Sequence, residues 1–261
     1  NIVMAKDLAL YFRPEFRTTP QAPLCIGCGH GIILGLILRA IDQLKISIDD
    51  ILFITGIGCC GWIPTPQFSA DGMWTLHGRA LAFATGAKLA NPKLKVVAFL
   101  GDGDMADIGG NHLIHAARRN MDFTVIQGNN MIYGLTGGQV ANTTPQGILT
   151  STTPQGNPFR PFDMCRLVDA AGATYIARYA VDQPFQLLKS IKKALQNPGF
   201  SFIEAVSTCP TQFGRRNRFD TPVEMLKFLK IKCVTSKQAE KLSPEELKDK
   251  LITGEFKDGR N

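Results

Sequence analysis

The sequence predicts an α/β fold with a doubly wound, mainly parallel sheet. Two runs carry that reading: Asp-Ile-Leu-Phe-Ile-Thr at residues 50–55 and Lys-Val-Val-Ala-Phe-Leu at 95–100. Each is short, continuously apolar and followed by glycine, as strands buried on both faces are. Helix-like segments lie between the strand-like ones, and that spacing allows parallel pairing through right-handed crossovers. At 261 residues, with 44% hydrophobic and 20% charged, the chain can bury the core of one large α/β domain, or of a domain with appendages.

Taken in order, residues 1–24 contain Pro14, Pro20 and Pro23 and read as an irregular arm. Residues 31–44 are apolar on nearly every face and read as a buried helix. The strand at 50–55 runs into glycines, and 61–74 reads as a loop. Residues 78–90 are alanine-rich and helical, stopped by Asn91-Pro92. After the strand at 95–100 come a helix at 108–119 and a third strand at 123–127. Residues 133–162 hold many Gly, Pro and Thr without periodicity, the composition of a lid or of a segment ordered by a partner or cofactor. Helices are expected at 163–171 and 183–196, a strand at 201–206 and irregular chain at 210–222. Ser243-Pro244-Glu245-Glu246 places a cap, a first-turn proline and a third-position glutamate, so a short surface helix should run over 244–251.

No apolar run reaches the roughly 18 to 20 residues that cross a bilayer, and the N-terminal residues lack the order of a signal peptide. A cytoplasmic location is expected. The net charge is +7, with Arg215, Arg216 and Arg218 clustered, but no nucleic-acid recognition motif accompanies it. A basic face suits an acidic protein partner, or is simply a solvated surface. Seven cysteines in such a chain point to metal or redox chemistry rather than to disulfides.

Gly101-Asp102-Gly103-Asp104 directly follows a strand, and Asn129-Asn130 ends the next one. Both therefore sit at carboxyl ends of parallel strands, where open α/β sheets bind ligands. A carboxylate and an amide carbonyl are hard oxygen donors suited to Mg²⁺ with phosphate oxygens. The glycines let backbone approach an anion, and the following helix can turn its amide end to it. An EF-hand reading of Asp102, Asp104 and Asp107 fails, because Leu113 stands where that loop needs glutamate. The Gly-x-Gly-x-x-Gly turn of a dinucleotide site is missing too.

Gly-Asp-Gly followed by Asn-Asn resembles the thiamine diphosphate signature. Longer stretches resemble one family: Leu-His-Gly-Arg-Ala at 76–80, Gly-Asp-Gly-Asp-Met-Ala-Asp-Ile-Gly-Gly-Asn-His at 101–112, His-Ala-Ala-Arg-Arg-Asn at 115–120 and Asn-Asn-Met-Ile-Tyr-Gly-Leu-Thr-Gly-Gly-Gln at 129–139. They are similar to the β subunits of 2-oxoacid:ferredoxin oxidoreductases, nearest the 2-oxoglutarate type, over about residues 20–215. That resemblance implies the diphosphate-binding half of a thiamine diphosphate fold. It also implies three parts: an N-terminal arm (1–24), a thiamine diphosphate and Mg²⁺ domain with an Fe–S site (25–222) and a C-terminal tail (223–261). Asp102 and Asn130 would hold Mg²⁺ by side chain and Ile132 by its carbonyl. Gly103, Asp104, Gly134 and Leu135 would line the diphosphate. Ile57, Gly58, Cys59 and Cys60 would lie along the thiamine, with His77 nearby.

Cys25-x-x-Cys28 could by its spacing serve an iron–sulfur cluster or zinc. The resemblance implies a [4Fe–4S] cluster on Cys25, Cys28, Cys59 and Cys209, with Cys60 beside Cys59 as a competing ligand. It further implies oxidative decarboxylation of a 2-oxoacid with coenzyme A to acyl-CoA, CO₂ and reduced ferredoxin. An α subunit would supply the pyrimidine-binding half and its catalytic glutamate, with γ and δ subunits as possible further members. Leu135 points to the 2-oxoglutarate-like or broad-specificity branch. Trp62 and Gly137 stand where some of that branch carry lysines, and Trp62 at a pocket rim would suit a branched or aromatic 2-oxoacid. Two alternatives stay open: a non-oxidative thiamine decarboxylase or synthase subunit, and a zinc-stapled basic binding module.

Overall fold

The computed structural model describes residues 8–13, 24–62 and 68–259. The arm expected over 1–24 lies mostly outside the described residues, as does the middle of the loop expected over 61–74. Eight strands form one sheet in the order β2-β1-β3-β4-β6-β5-β8-β7. They are β1 (Ile51–Thr55), β2 (Asp71–Trp74), β3 (Lys95–Gly101), β4 (Thr124–Asn129), β5 (Tyr175–Ala180), β6 (Ser201–Val206), β7 (Cys233–Thr235) and β8 (Leu251–Asp258). Every pairing is parallel except β5 with β8. The doubly wound, mainly parallel sheet expected from the strand runs is what the chain forms.

Helices cover both faces. On one lie α1 (His30–Leu44) and, after β5, the helix Pro184–Gln196. Ile33, Ile37 and Ile41 of α1 recur at helical spacing and pack with Leu187 and Ile191 on Phe53, Val97, Phe99, Ile126 and Ile203. On the other face lie α2 (Ala80–Ala90), α3 (Gly110–Arg118) and α4 (Met164–Ala170), which makes the helix at 184–196 α5. There Leu81, Ala84, Leu113, Ala116 and Val168 cover Ile54, Ala98, Leu100, Val125 and Phe202. Truncating Ile37 or Leu113 to alanine would cost roughly 2–5 kcal/mol.

The structure adds strands that periodicity did not reveal. Strand β2 lies inside the expected loop and is a half-exposed edge strand without an apolar run. Strand β5 carries Arg178, a residue that speaks against a buried strand until its partners are known. The expected tail with one surface helix is corrected. It begins with α6 (Pro222–Lys232), where irregular chain was expected up to residue 222. It continues through β7 and the short helices α7 (Ser236–Ala239) and α8 (Pro244–Leu247). The capping box at Ser243 forms as expected, but α8 stops at Leu247, and Leu251 opens β8, which joins the main sheet beside β5.

Candidate active site

From β1 the chain moves outward to β2, then returns across β1 to β3 and continues the opposite way to β4. The connections leaving β1 and β3 thus diverge, and the crevice between their carboxyl ends is the place where such sheets bind ligands. A cleft of about 440 Å³ lies there. Its walls are Ile57 to Cys60 after β1, Asp102 to Asp104 after β3 and Asn130 to Leu135 after β4, with His77 alongside. All twelve residues that the sequence assigned to the metal and thiamine diphosphate line this one cleft: Ile57, Gly58, Cys59, Cys60, His77, Asp102, Gly103, Asp104, Asn130, Ile132, Gly134 and Leu135.

The cleft floor gathers oxygen. Asn130 Oδ1 lies 2.7 Å from the Ile132 carbonyl oxygen and 3.2 Å from Asp102 Oδ1. Acceptors crowd together like this only if the amide turns over or a cation sits among them. Neighbouring oxygens around Mg²⁺, with bonds of roughly 2.1 Å, stand about 3 Å apart, so this trio fits the ion. Asp102 is buried, and burial pushes its carboxyl up to about 7 despite hydrogen bonds from Thr143 and the Gly103 amide. A bound cation would reverse that penalty. Thr143 Oγ1 donates to Asp102 Oδ2 at 2.6 Å and so turns Oδ1 toward Asn130.

Gly103 starts a π-helical turn, Gly103–Ile108, which leads into the helix expected over 108–119, formed as α3 (Gly110–Arg118). Asp102 sits at the turn's amide end. A Cβ on Gly103 would lie 2.3 Å from the Tyr133 ring, so only glycine lets backbone and ring pass so closely. Tyr133 also donates its hydroxyl to the Gly103 carbonyl at 3.1 Å. Asp104 turns its carboxylate away from the oxygens. Its Oδ1 takes His77 Nδ1 and the Gly78 amide, the latter at 2.7 Å. Asp104 therefore ties the β2–α2 connection to the floor, and any anion beside it would be met by backbone. Ile57 and Leu135 are 38% and 50% exposed, apolar walls free to flank an aromatic ring.

The cysteines flank this floor. Cys28 N–H donates to the Cys25 carbonyl at 2.9 Å, and Thr208 Oγ1 donates to the Gly27 carbonyl at 2.9 Å, which docks the Cys25–Cys28 turn beside Cys209. Gly27 stands at φ +79, which a side chain would strain. Cys59 Sγ and Cys209 Sγ each lie 3.4 Å from where a Cβ on Gly134 would sit, so the two sulfurs are no further apart than twice that. Burial and then its neighbours Cys209, Cys28 and Cys25 push the Cys59 thiol up to about 12. Cys28 is pushed up to about 11 by burial, with Cys209 and Cys25 adding to it. The thiols at 25, 28, 59 and 209 form one group, close enough that their thiolates would repel one another without a cation among them. Cys60 Sγ points elsewhere, against Gly128 and the buried His30 ring. Among the described residues, no three His, Cys, Asp or Glu side chains close tightly enough on one point for a single metal ion. Four thiols from three separate segments, 25–28, 59 and 209, are a donor set that a cluster with its cysteines on different irons could use, and one that zinc could use as well.

Sequence reasoning passed over Thr143, Tyr133 and His30. It also placed Trp62 at the pocket rim. Trp62 does not line the cleft; its ring packs edge-on against Trp74 at 5.1 Å, and Trp74 Nε1 donates to the Gly56 carbonyl at 2.6 Å.

Residues 56–205 match the family described as thiamine pyrophosphate enzyme, C-terminal TPP binding domain. Fold and site together define a thiamine diphosphate-binding domain. The chain is 54% identical over 234 residues to the 2-oxoglutarate synthase subunit KorB of Methanothermobacter marburgensis, covering 90% of this chain and 82% of that one. It is 43% identical over 189 residues to the 2-oxoacid:ferredoxin oxidoreductase subunit beta of Saccharolobus solfataricus, covering 72% and 62%. The solved 2-oxoglutarate:ferredoxin oxidoreductase from Magnetococcus marinus, with 2-oxoglutarate, coenzyme A and succinyl-CoA bound, superposes with a TM-score of 0.79 at 34% identity, over 91% of this chain and 81% of that one. The chain belongs to the β subunits of the 2-oxoacid:ferredoxin oxidoreductases.

Proposed function

We propose that this chain is the cofactor-carrying β subunit of an enzyme that oxidatively decarboxylates 2-oxoglutarate, or a related larger 2-oxoacid, with coenzyme A to give acyl-CoA, CO₂ and reduced ferredoxin. The observation that carries this is the shared wall at Gly134, with the Asn130 amide, the Asp102 carboxylate and the Ile132 carbonyl gathered on one side and the sulfurs of Cys59 and Cys209 on the other. Asp102, Asn130 and the Ile132 carbonyl hold Mg²⁺, and Gly103 and Gly134 keep the backbone open for a diphosphate. Bound thiamine diphosphate supplies the carbanion-stabilising chemistry by which a 2-oxoacid loses CO₂. Ile57 and Leu135 keep water from the ring and orient it. Cys25, Cys28, Cys59 and Cys209 carry a [4Fe–4S] cluster that takes electrons one at a time.

The thiol group disfavours a non-oxidative decarboxylase, which needs no electron acceptor. The oxygen-lined floor beside the thiols disfavours a zinc-stapled binding module, which needs no such floor. The substrate reading rests on the KorB relatives. An α subunit completes the site in the cytoplasm, contributing the catalytic glutamate and covering apolar side chains that this chain leaves exposed, Leu76 at 71% and Phe159 at 69% among them. The test is anaerobic expression alone and with the α subunit. The pair should reduce a viologen only with a 2-oxoacid and coenzyme A together, and the single chain should be inactive. Turnover by the single chain would place the missing acid in this sequence and defeat the two-chain site.

A further inference from the structure

Behind the metal floor lies a buried polar relay. Asn129 Oδ1 accepts the Met131 N–H at 3.0 Å, and Met131 stands at φ +62, the turn that brings Asn130 and the Ile132 carbonyl round to Asp102. Asn129 Nδ2 donates to Glu204 Oε1 at 2.7 Å, across to β6. Glu204 Oε2 accepts Arg178 Nε at 2.6 Å, from β5. The Arg178 guanidinium also reaches Asp163, and donates to the Ile252 carbonyl of β8 at 3.2 Å. Asn129, Glu204 and Arg178 are each no more than 2% exposed.

We infer that Glu204 is a positioning residue for the metal site, acting through Asn129; the inference rests on the Mg²⁺ reading of Asp102, Asn130 and Ile132. A carboxylate can only accept. It therefore fixes which end of the Asn129 amide faces Met131, and that end must be the oxygen. Arg178 in turn keeps Glu204 in place. A glutamine in place of Glu204 cannot do this. If its oxygen faces Asn129, its NH₂ meets the Arg178 donor. If it turns over and Asn129 turns with it, an NH₂ meets the Met131 N–H. Every arrangement leaves one donor facing another, and relieving it shifts Asn129, whose side chain holds the turn that carries two of the three metal oxygens.

The same logic predicts a rescue. When Asn129→Asp is combined with Glu204→Gln, the new carboxylate accepts from both the Met131 N–H and the NH₂ of the new amide. The oxygen of that amide then accepts from Arg178. All three hydrogen bonds return, the middle one with its polarity reversed. The experiment measures Mn²⁺ affinity, by electron paramagnetic resonance in the presence of thiamine diphosphate, for the assembled complex carrying Asn129→Asp, Glu204→Gln or both. Each single change should weaken Mn²⁺ binding at least tenfold, and the double variant should return to within about threefold of the parent. Ile191→Ala, which opens a cavity in the helix layer outside the relay, separates positioning from general stability. It should lower the melting temperature yet leave Mn²⁺ affinity within about threefold, whereas a purely structural relay would weaken binding in step with stability in every variant. Asp102→Asn is run beside them. If it keeps Mn²⁺, the metal reading falls and this inference with it. If it loses Mn²⁺ while both single variants keep it, or the double variant is no better than the worse single, the inference alone is overturned.

Discussion

Replacing Thr143 by valine removes one hydroxyl and keeps the side chain's shape. That hydroxyl is buried and donates to Asp102 Oδ2 at 2.6 Å. A hydrogen bond to a charged group is worth about 1.5–3 kcal/mol, and about 1.4 kcal/mol is tenfold in affinity. Asp102 would be ionised when holding Mg²⁺, whereas without it burial raises the carboxyl to about 7 and leaves part of it protonated near neutral pH. Most of the lost hydrogen bond therefore falls on the bound state. Thr143→Val should weaken Mg²⁺–thiamine diphosphate binding by about 10- to 100-fold, while Thr143→Ser, which keeps the hydroxyl, should stay within about threefold. Isothermal titration of the cofactor into the assembled apo-complex at fixed Mg²⁺ measures both. Equal affinity for the valine variant and the parent would refute the idea that Thr143 orients Asp102.

Gly103→Ala puts a Cβ 2.3 Å from the Tyr133 ring, and should abolish thiamine diphosphate binding in the same titration while circular dichroism keeps the α/β signature. Cys59→Ser should lose iron and sulfide whereas Cys60→Ser retains both, because the Cys60 sulfur packs against Gly128 and His30; the opposite pattern in elemental analysis would exchange their roles. Gln127 is wholly buried with neither amide atom paired, so Gln127→Met should stabilise the fold by about 1–3 kcal/mol, seen as a melting temperature several degrees higher. A lower melting temperature would mean that the amide has partners in solution.

The site was legible because its ligands end apolar strands. Lys95–Gly101 announces itself by composition, so Asp102 had to stand at a strand end, and Asn130 follows for the same reason. Thr143 was not legible. It lies 41 residues from Asp102, in a stretch whose Gly, Pro and Thr content reads as a lid. That stretch is instead tied down by its own polar side chains: Thr144 Oγ1 donates to the Met131 carbonyl at 2.7 Å, and Asn157 Nδ2 to the Thr144 carbonyl at 2.8 Å. Such bonds have no period, so no pattern reveals them. Strand β5 hid behind Arg178, which is tolerated in a buried strand only because Glu204 and Asp163 meet it from β6 and the start of α4. Charged, glycine-containing β8 hid because, although it pairs with both β5 and β7, most of its side chains stay at least partly exposed and it has no continuous apolar run.

Gly134 shows why the two kinds of group belong to one device. A Cβ there would stand 3.4 Å from the Asn130 amide nitrogen and 3.4 Å from each of the Cys59 and Cys209 sulfurs. The residue separating oxygen floor from thiol group is thus the one residue type that adds no bulk. The loops repeat this economy. After β1, Ile57 faces the cleft and Cys59 the thiol group, and after β4, Asn130 and Ile132 face the oxygens while Gly134 backs onto sulfur. Cys59 and Cys209 sit directly behind the cleft wall, and neither can move toward Gly134 without displacing it. Close-packed interiors resist such shifts. A redox group held by those thiols would lie just behind the cleft wall, near enough to pass single electrons out of the cleft.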